Sequence, residues 1–193
     1  MSFRNEDKLF IHHNKIGVFK KYLRKRGAIQ IYKPRIVKST YFDNKNFDMY
    51  HNSIEGTVPR KKIRIREYPE FKNKLFIEKK ISSVEGRFKT SNKLNSFNYF
   101  KTGIKDKEYG LCKPVSIVSY KRLYLSLNKV RITIDEDIRY QKFNFQRVYQ
   151  EKLVVAELKY PFDFHYDSVE FNFPFERIRF SKYCNSIEKI FNI

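Results

Sequence analysis

Apolar residues recur at every second position in several stretches of this chain, and the positions between them are charged. In residues 3 to 12, an extended segment places Arg4, Glu6 and Lys8 on one face and Leu9 and Ile11 on the other. The stretch "RKKIRIREY", residues 60 to 68, aligns Arg60, Lys62, Arg64 and Arg66 opposite Ile63 and Ile65. Residues 74 to 81 set Glu78 and Lys80 against Leu75, Ile77 and Ile81. Three long strands are predicted next. "VSIVSYKRLYLSL" puts Tyr120, Arg122 and Tyr124 opposite Leu123, Leu125 and Leu127. "KVRITIDEDIRY" puts Arg131, Thr133, Asp135, Asp137 and Arg139 opposite Val130, Ile132, Ile134 and Ile138, and "YQEKLVVAELKY" puts Glu151, Glu157 and Lys159 opposite Val154, Ala156 and Leu158. "PRIVKSTYFD", ending at Asp43, and "ERIRF" complete the strands.

Helical spacing is rarer. After Asn14 as N-cap, Ile16, Phe19 and Leu23 form one apolar stripe that Gly27 ends. Phe47, Tyr50 and Ile54 mark a short helix closed by Gly56, and "SKYCNSIEKIF" a final one with Tyr183, Ile187, Ile190 and Phe191 on its apolar side. Residues 82 to 110, rich in Asn, Ser and Gly, are the least regular, with one helix around Leu94 to Phe100.

Seven or eight mostly antiparallel strands with few helices make the fold α+β, mainly β. Such strands can form a sandwich whose charged face is solvated, or a closed barrel whose charged face lines the interior. Solvated faces carry Thr, Ser, Gln and Lys; here Arg dominates, interleaved with isolated carboxylates at corresponding places on several strands. Arg suits forked phosphate contacts, and carboxylates offer hard oxygen ligands to a divalent ion.

The composition narrows the partner. Of 193 residues, 41 are Lys or Arg and 21 Asp or Glu, a formal net charge of +20, a field that draws polyanions. The length suits one domain, residues 1–193. Cys112 and Cys184 lie far apart and the start "MSFRNEDKLF" is charged, so a reduced, cytoplasmic setting is expected. His12, His13, His51 and His165 are scattered, which argues against structural zinc, and no apolar run is long enough for a membrane helix.

Eight motifs in order, "FRNEDKLFI", "STYFDN", "KKIRIREY", "LFIEKK", "SYKRLYL", "VRITIDEDIR", "VAELKY" and "IRFSKYC", closely resemble the VTC domain, from about Phe3 to Ile193. This is the polyphosphate polymerase branch of the triphosphate tunnel metalloenzymes. The resemblance implies a closed antiparallel eight-stranded β-barrel, a triphosphate tunnel, with short covering helices and a C-terminal helix. It also implies transfer of the γ-phosphate of ATP onto a growing inorganic polyphosphate chain, with Mn2+ or Mg2+ required.

Position by position, the resemblance makes Arg64, Arg66, Lys80, Arg122 and Lys182 catalytic. It makes Lys8, Lys62, Arg131, Lys159 and Ser181 phosphate-binding, with Ser181 equally placed to cap the last helix. Glu157 is the expected metal ligand, against an ion pair with Lys159, and Glu6, Glu78, Tyr120, Asp135 and Arg139 are supporting groups. Lys89 in "GRFKTS" is a further candidate tunnel lysine, and Tyr120 and Tyr124 either contact nucleotide or fill the barrel. The dense charge of "KKYLRKRG" is either a solvated helix face or a docking site for departing polyphosphate.

ATP and inorganic polyphosphate or pyrophosphate are the implied partners. Nucleic acid is not expected, because exposed aromatics interleaved with cations are not the pattern. Arg4 stands where the wider tunnel family often carries the first acid of E-x-E-x-K, which favours the polymerase over a tunnel triphosphatase that hydrolyses triphosphates. A non-catalytic polyanion-binding protein is the third reading.

Overall fold

A computed structural model of the chain describes residues 4–71, 74–161 and 175–193; Phe3, the first residue of the first predicted strand, and His165 lie outside them. The strands are β1 (Arg4–His12), β2 (Ile29–Asp43), β3 (Arg60–Glu67), β4 (Leu75–Ser83), β5 (Gly86–Leu94), β6 (Ile104–Asp106), β7 (Gly110–Leu127), β8 (Val130–Lys142), β9 (Val148–Gln150) and β10 (Leu153–Pro161). The helices are α1 (Ile16–Lys25), α2 (Asp48–Glu55), α3 (Tyr99–Thr102) and α4 (Lys182–Phe191). Hydrogen-bonded neighbours run β1-β10-β8-β7-β2-β3-β4-β5, with β6 on β7 and β9 on β8.

The residues divide into two compact units. The first comprises the described residues of Met1–Arg35, Tyr120–Ile138 and Glu151–Phe180; the second comprises those of Ile36–Ser119, Arg139–Gln150 and Ser181–Ile193.

In the first unit the period-two pattern sorts the sheet into two faces. Leu9 and Ile11 of β1, Val154, Ala156 and Leu158 of β10, and Ile132 and Ile134 of β8 form one buried cluster. Phe19 and Leu23, on the apolar stripe of α1, pack onto that cluster and are wholly buried. Burying a Phe and a Leu contributes roughly 1.5–3 kcal/mol each, so the stripe is sufficient to seat the helix. On its outer side α1 pairs Lys20 with Glu136 at 2.6 Å.

In the second unit the buried Asp43 organises the start of α2. Its Oδ1 accepts from the amides of Asn44 at 2.8 Å and Met49 at 3.2 Å, and Oδ2 accepts from the Tyr50 amide at 3.1 Å. These last two amides belong to the first turn of α2, whose N–H groups have no partner inside the helix. The Tyr183 hydroxyl of α4 donates to the same Oδ2, so one carboxylate serves both helices. Burial pushes the Asp43 carboxyl up, although the hydrogen bonds oppose it.

The closed eight-stranded barrel is not what forms. The path of paired strands has two ends, β1 and β5, and among the described residues no pairing joins them. Both ends have a physical reason to stay unpaired with each other. The outer edge of β1 is taken by the 176–178 segment: the Phe10 amide donates to the Glu176 carbonyl at 2.8 Å and the Ile178 amide to the Lys8 carbonyl at 2.9 Å. The predicted strand "ERIRF" is thus an isolated bridge. The other end, β5, is polar and largely exposed, a composition that discourages edge pairing.

Replacing Asp43 with Ala orphans the Met49 and Tyr50 amides together. Stability to urea is expected to fall by about 2–4 kcal/mol, each buried unsatisfied group costing about 1–3 kcal/mol. A loss no larger than that of an exposed control substitution would remove Asp43 as the organiser of α2.

Candidate functional site

Register places the cations of β3 on one face of the second unit. Directly opposed residues share a face, and the pairs Tyr41–Arg64–Glu78–Ser91, Ser39–Arg66–Phe76–Lys93 and Lys62–Lys80–Lys89 run across β2, β3, β4 and β5. Arg60, Ser82 and Arg87 form a further row. The opposite face carries Ile63 and Ile65, both fully buried.

Glu78 is the counter-ion of this face. Arg64 reaches its Oε2 through Nε at 2.7 Å and Nη2 at 2.6 Å, Arg66 lies at 3.6 Å, and Lys89 Nζ meets Oε1 at 2.6 Å. Burial works to raise the Glu78 carboxyl, but Arg64, Arg66 and Lys89 overcome it and bring it down to about 2. Arg64 also donates to the Tyr41 hydroxyl at 3.0 Å, which fixes the guanidinium from a second side. Burial likewise raises the Tyr41 phenol, yet Arg64 and Arg66 hold it below its ordinary value.

Beside this group, Lys62 donates to the Ser181 hydroxyl at 2.8 Å and lies 3.7 Å from Cys184 Sγ. Burial pushes the Lys62 ammonium down, and Lys80 adds to the effect. Ser181 also accepts from the Cys184 amide at 3.3 Å, so it is the N-cap of α4, and Lys182 opens that helix half-buried.

The first unit has a second charged face. Register aligns Glu6–Lys159–Arg131 in one row and Lys8–Glu157–Thr133 in the next, with Val155 opposite Asp135. Lys159 Nζ sits 3.1 Å from Glu6 and 2.9 Å from Glu157, and these carboxylates outweigh burial to raise its ammonium. Arg122 makes a forked pair with the fully buried Asp135, Nε at 2.6 Å and Nη2 at 2.7 Å. Burial would lower the guanidinium, but Asp135 holds it well above its ordinary range. The Arg122 guanidinium lies 5.0 Å from the Tyr120 ring centroid, and Lys8 donates to the Phe180 carbonyl.

The structure thus gathers Arg64, Arg66, Glu78, Lys62, Ser181 and Lys89 in one unit, and Glu6, Lys8, Arg122, Asp135, Glu157 and Lys159 in the other. Lys80, Arg131 and Arg139 are exposed, Arg139 lying opposite Gln150 in the second unit. Sequence reasoning missed Tyr41 as a partner of Arg64, and missed that β5 brings Arg87 and Lys93 to the same face. The alternation of Arg87, Lys89 and Lys93 was present, but only Phe88 and Leu94 marked the other side as apolar.

Among the described residues no three His, Cys, Asp or Glu side chains group to hold a metal. Glu157 and Glu6 nonetheless offer two hard carboxylates, and the hydroxyl of Thr133, opposite Glu157, is buried with no hydrogen-bond partner. That donor set fits a hard divalent cation bound by one or two carboxylates and completed by ligands from outside the protein, not an all-protein cage.

The mainly antiparallel fold is shared with solved structures. A conserved hypothetical protein from Pyrococcus furiosus aligns at 16% identity over 81% of this chain and 78% of its own, with a TM-score of 0.51. A candidate adenylate cyclase from Vibrio parahaemolyticus aligns at 12% identity over 84% and 78%, with a TM-score of 0.52. These likenesses show the fold. The sequence matches the VTC domain family model over residues 3–191, and the chain belongs to that family. A search of curated proteins finds no match.

Two stability measurements follow from these pairs. Because Glu78 falls from 4.5 in the unfolded chain to about 2, its contribution is complete above about pH 5 and lost as pH falls toward 2. By linkage it is on the order of 3 kcal/mol, and Glu78→Gln is expected to flatten that part of the stability–pH curve. An unchanged slope in the variant would show that Glu78 does not carry it. Asp135→Ala strands the buried Arg122 charge and should cost about 3–5 kcal/mol, whereas Arg122→Leu with Asp135→Leu should recover most of the loss. Equal losses in the single and double variants would deny the coupling.

Proposed function

We propose that this chain is an ATP-dependent polyphosphate polymerase, moving the γ-phosphoryl group of ATP onto the terminal phosphate of a growing inorganic polyphosphate and releasing ADP. The observation that carries this reading is the charged face built around Glu78, where Arg64, Arg66 and Lys89 converge on one buried carboxylate. Three cations against one acid leave net positive charge held in fixed geometry. Phosphoryl transfer needs chiefly that: positioning, and neutralisation of the charge that develops on the transferring group.

Each residue has a task under this reading. Arg64 and Arg66 present guanidinium N–H groups to phosphate oxygens, with Glu78 and Tyr41 fixing the direction of Arg64. Lys62, positioned by Ser181, adds a compact charge, and Lys80 and Lys182 extend the cationic surface. In the first unit Arg122, locked by Asp135, and Lys8, Lys159 and Arg131 hold further phosphates. Glu157, supported by Glu6, would hold Mg2+ or Mn2+, which would supply neutralisation of phosphate charge. The attacking oxygen belongs to the acceptor phosphate, so no side-chain nucleophile is required.

Incubation with ATP and Mn2+, with products resolved on a gel stained for polyphosphate, tests the proposal. A ladder of long chains with matching ADP is expected, reduced by roughly 100-fold or more in Arg64→Ala and in Glu157→Gln. Orthophosphate without a ladder would make the chain a tunnel triphosphatase. No turnover of ATP with any divalent ion would leave a polyanion-binding protein.

A further inference from the structure

We infer that Tyr32, Arg35, Tyr124 and Arg131 of the first unit form a platform for the base of a nucleoside triphosphate, an inference that rests on the phosphoryl-donor reading above. The Tyr32 and Tyr124 rings meet edge to face, 5.6 Å between centroids at 90°. The Arg35 guanidinium lies 4.7 Å from the Tyr32 centroid and 5.4 Å from that of Tyr124, and Arg131 lies 5.8 Å from Tyr124. Two aromatic rings and two guanidinium groups therefore pack as one π and cation cluster, of which the Tyr32 ring is the exposed aromatic part.

Packing does not account for this cluster. Tyr32, Arg35 and Arg131 stand outside the apolar core, and the buried Tyr124 is not part of the cluster built on the other face of the sheet. Tyr124 is buried, but Tyr32 is 48% exposed and leaves aromatic surface in water. Inorganic phosphate has no use for that surface, because it is recognised at N–H edges; a nucleobase stacks on ring and guanidinium faces.

The position suits a nucleotide whose phosphates lie on the charged face. Arg131 is directly opposite Lys159, in the row that also contains Glu6. Tyr124 stands two residues from Arg122 on β7, a spacing that keeps side chains on one face. Stacking distinguishes bases weakly, so the platform would serve to retain a nucleoside triphosphate against inorganic chains of equal charge.

Calorimetric titration of ATP and of inorganic tripolyphosphate, each with Mg2+, into the wild-type chain, Tyr32→Ala and Tyr32→Phe tests the inference. Tyr32→Ala should weaken ATP roughly 5- to 30-fold and leave tripolyphosphate within about twofold, which also reports that the fold is intact. Tyr32→Phe should leave both ligands unchanged. Wild-type binding of both ligands with ATP unaffected by Tyr32→Ala would overturn the platform alone, as would equal weakening of both ligands. Failure of the wild type to bind either ligand would overturn the phosphoryl-donor reading and the platform with it.

Discussion

Cations aligned on one face of a strand repel each other, and they fold only where counter-charge is built in among them. Here the counter-charge is buried or half-buried among them. Glu78 sits within 3.6 Å of Arg64, Arg66 and Lys89, Asp135 is forked by Arg122, and Glu6 and Glu157 share Lys159. Each carboxylate fixes the direction of the cations around it, yet the Glu78 face keeps an excess of positive charge. A buried ion pair returns little net stability after desolvation. Its effect in this fold is to hold guanidinium and ammonium groups in set directions.

The scaffold makes such faces possible by strict separation. In the first unit the side of the sheet opposite the charges holds Leu9, Ile132, Ile134 and Ala156, sealed by Phe19 and Leu23 of α1. The residue next in sequence to a core position therefore lies on the polar face: Lys8 beside Leu9, Thr133 beside Ile132, Glu157 beside Ala156. A register slip of one residue would bury charge and expose core together, so the apolar face pins the geometry of the charged one. In the second unit Ile63 and Ile65 do the same for Arg64 and Arg66, while Asp43 secures the helices α2 and α4.

Strands with one apolar face were legible in the sequence because burial enforces the alternation. β1, β3, β4, β8 and β10 lie close to where the pattern puts them. The early part of β2, before Pro34, is largely exposed and lacks that imprint, as does the start of β7 before Val115. β5 was missed because its residues are mostly exposed on both faces. Closure into a barrel was not legible at all, since it depends on whether the first and last strands of the path meet, which no local pattern encodes. For the site, alternation placed Arg64 and Glu78 correctly on one face each, but only register could pair them. Counting by twos from Asp135 to Arg139 also passes through Asp137, whose φ of 53° lies in the left-handed region. Period two does not carry across such a residue, and Arg139 is exposed where Asp135 is buried.

The isolated acids also bear on how a polyanion could move. A wall of cations alone would hold a phosphate chain at every position and release it slowly, because each fixed charge adds to the barrier against displacement. Under the polymerase reading Glu78 would compete with phosphate for Arg64, Arg66 and Lys89, so phosphate binding there would replace an existing pair and gain only the difference between two pairs. The same holds where Lys159 is shared by Glu6 and Glu157. Under the polymerase reading this exchange keeps each phosphate contact weak enough for the chain to advance, while the exposed side chains of Lys80 and Arg131 supply contacts that adjust as it does.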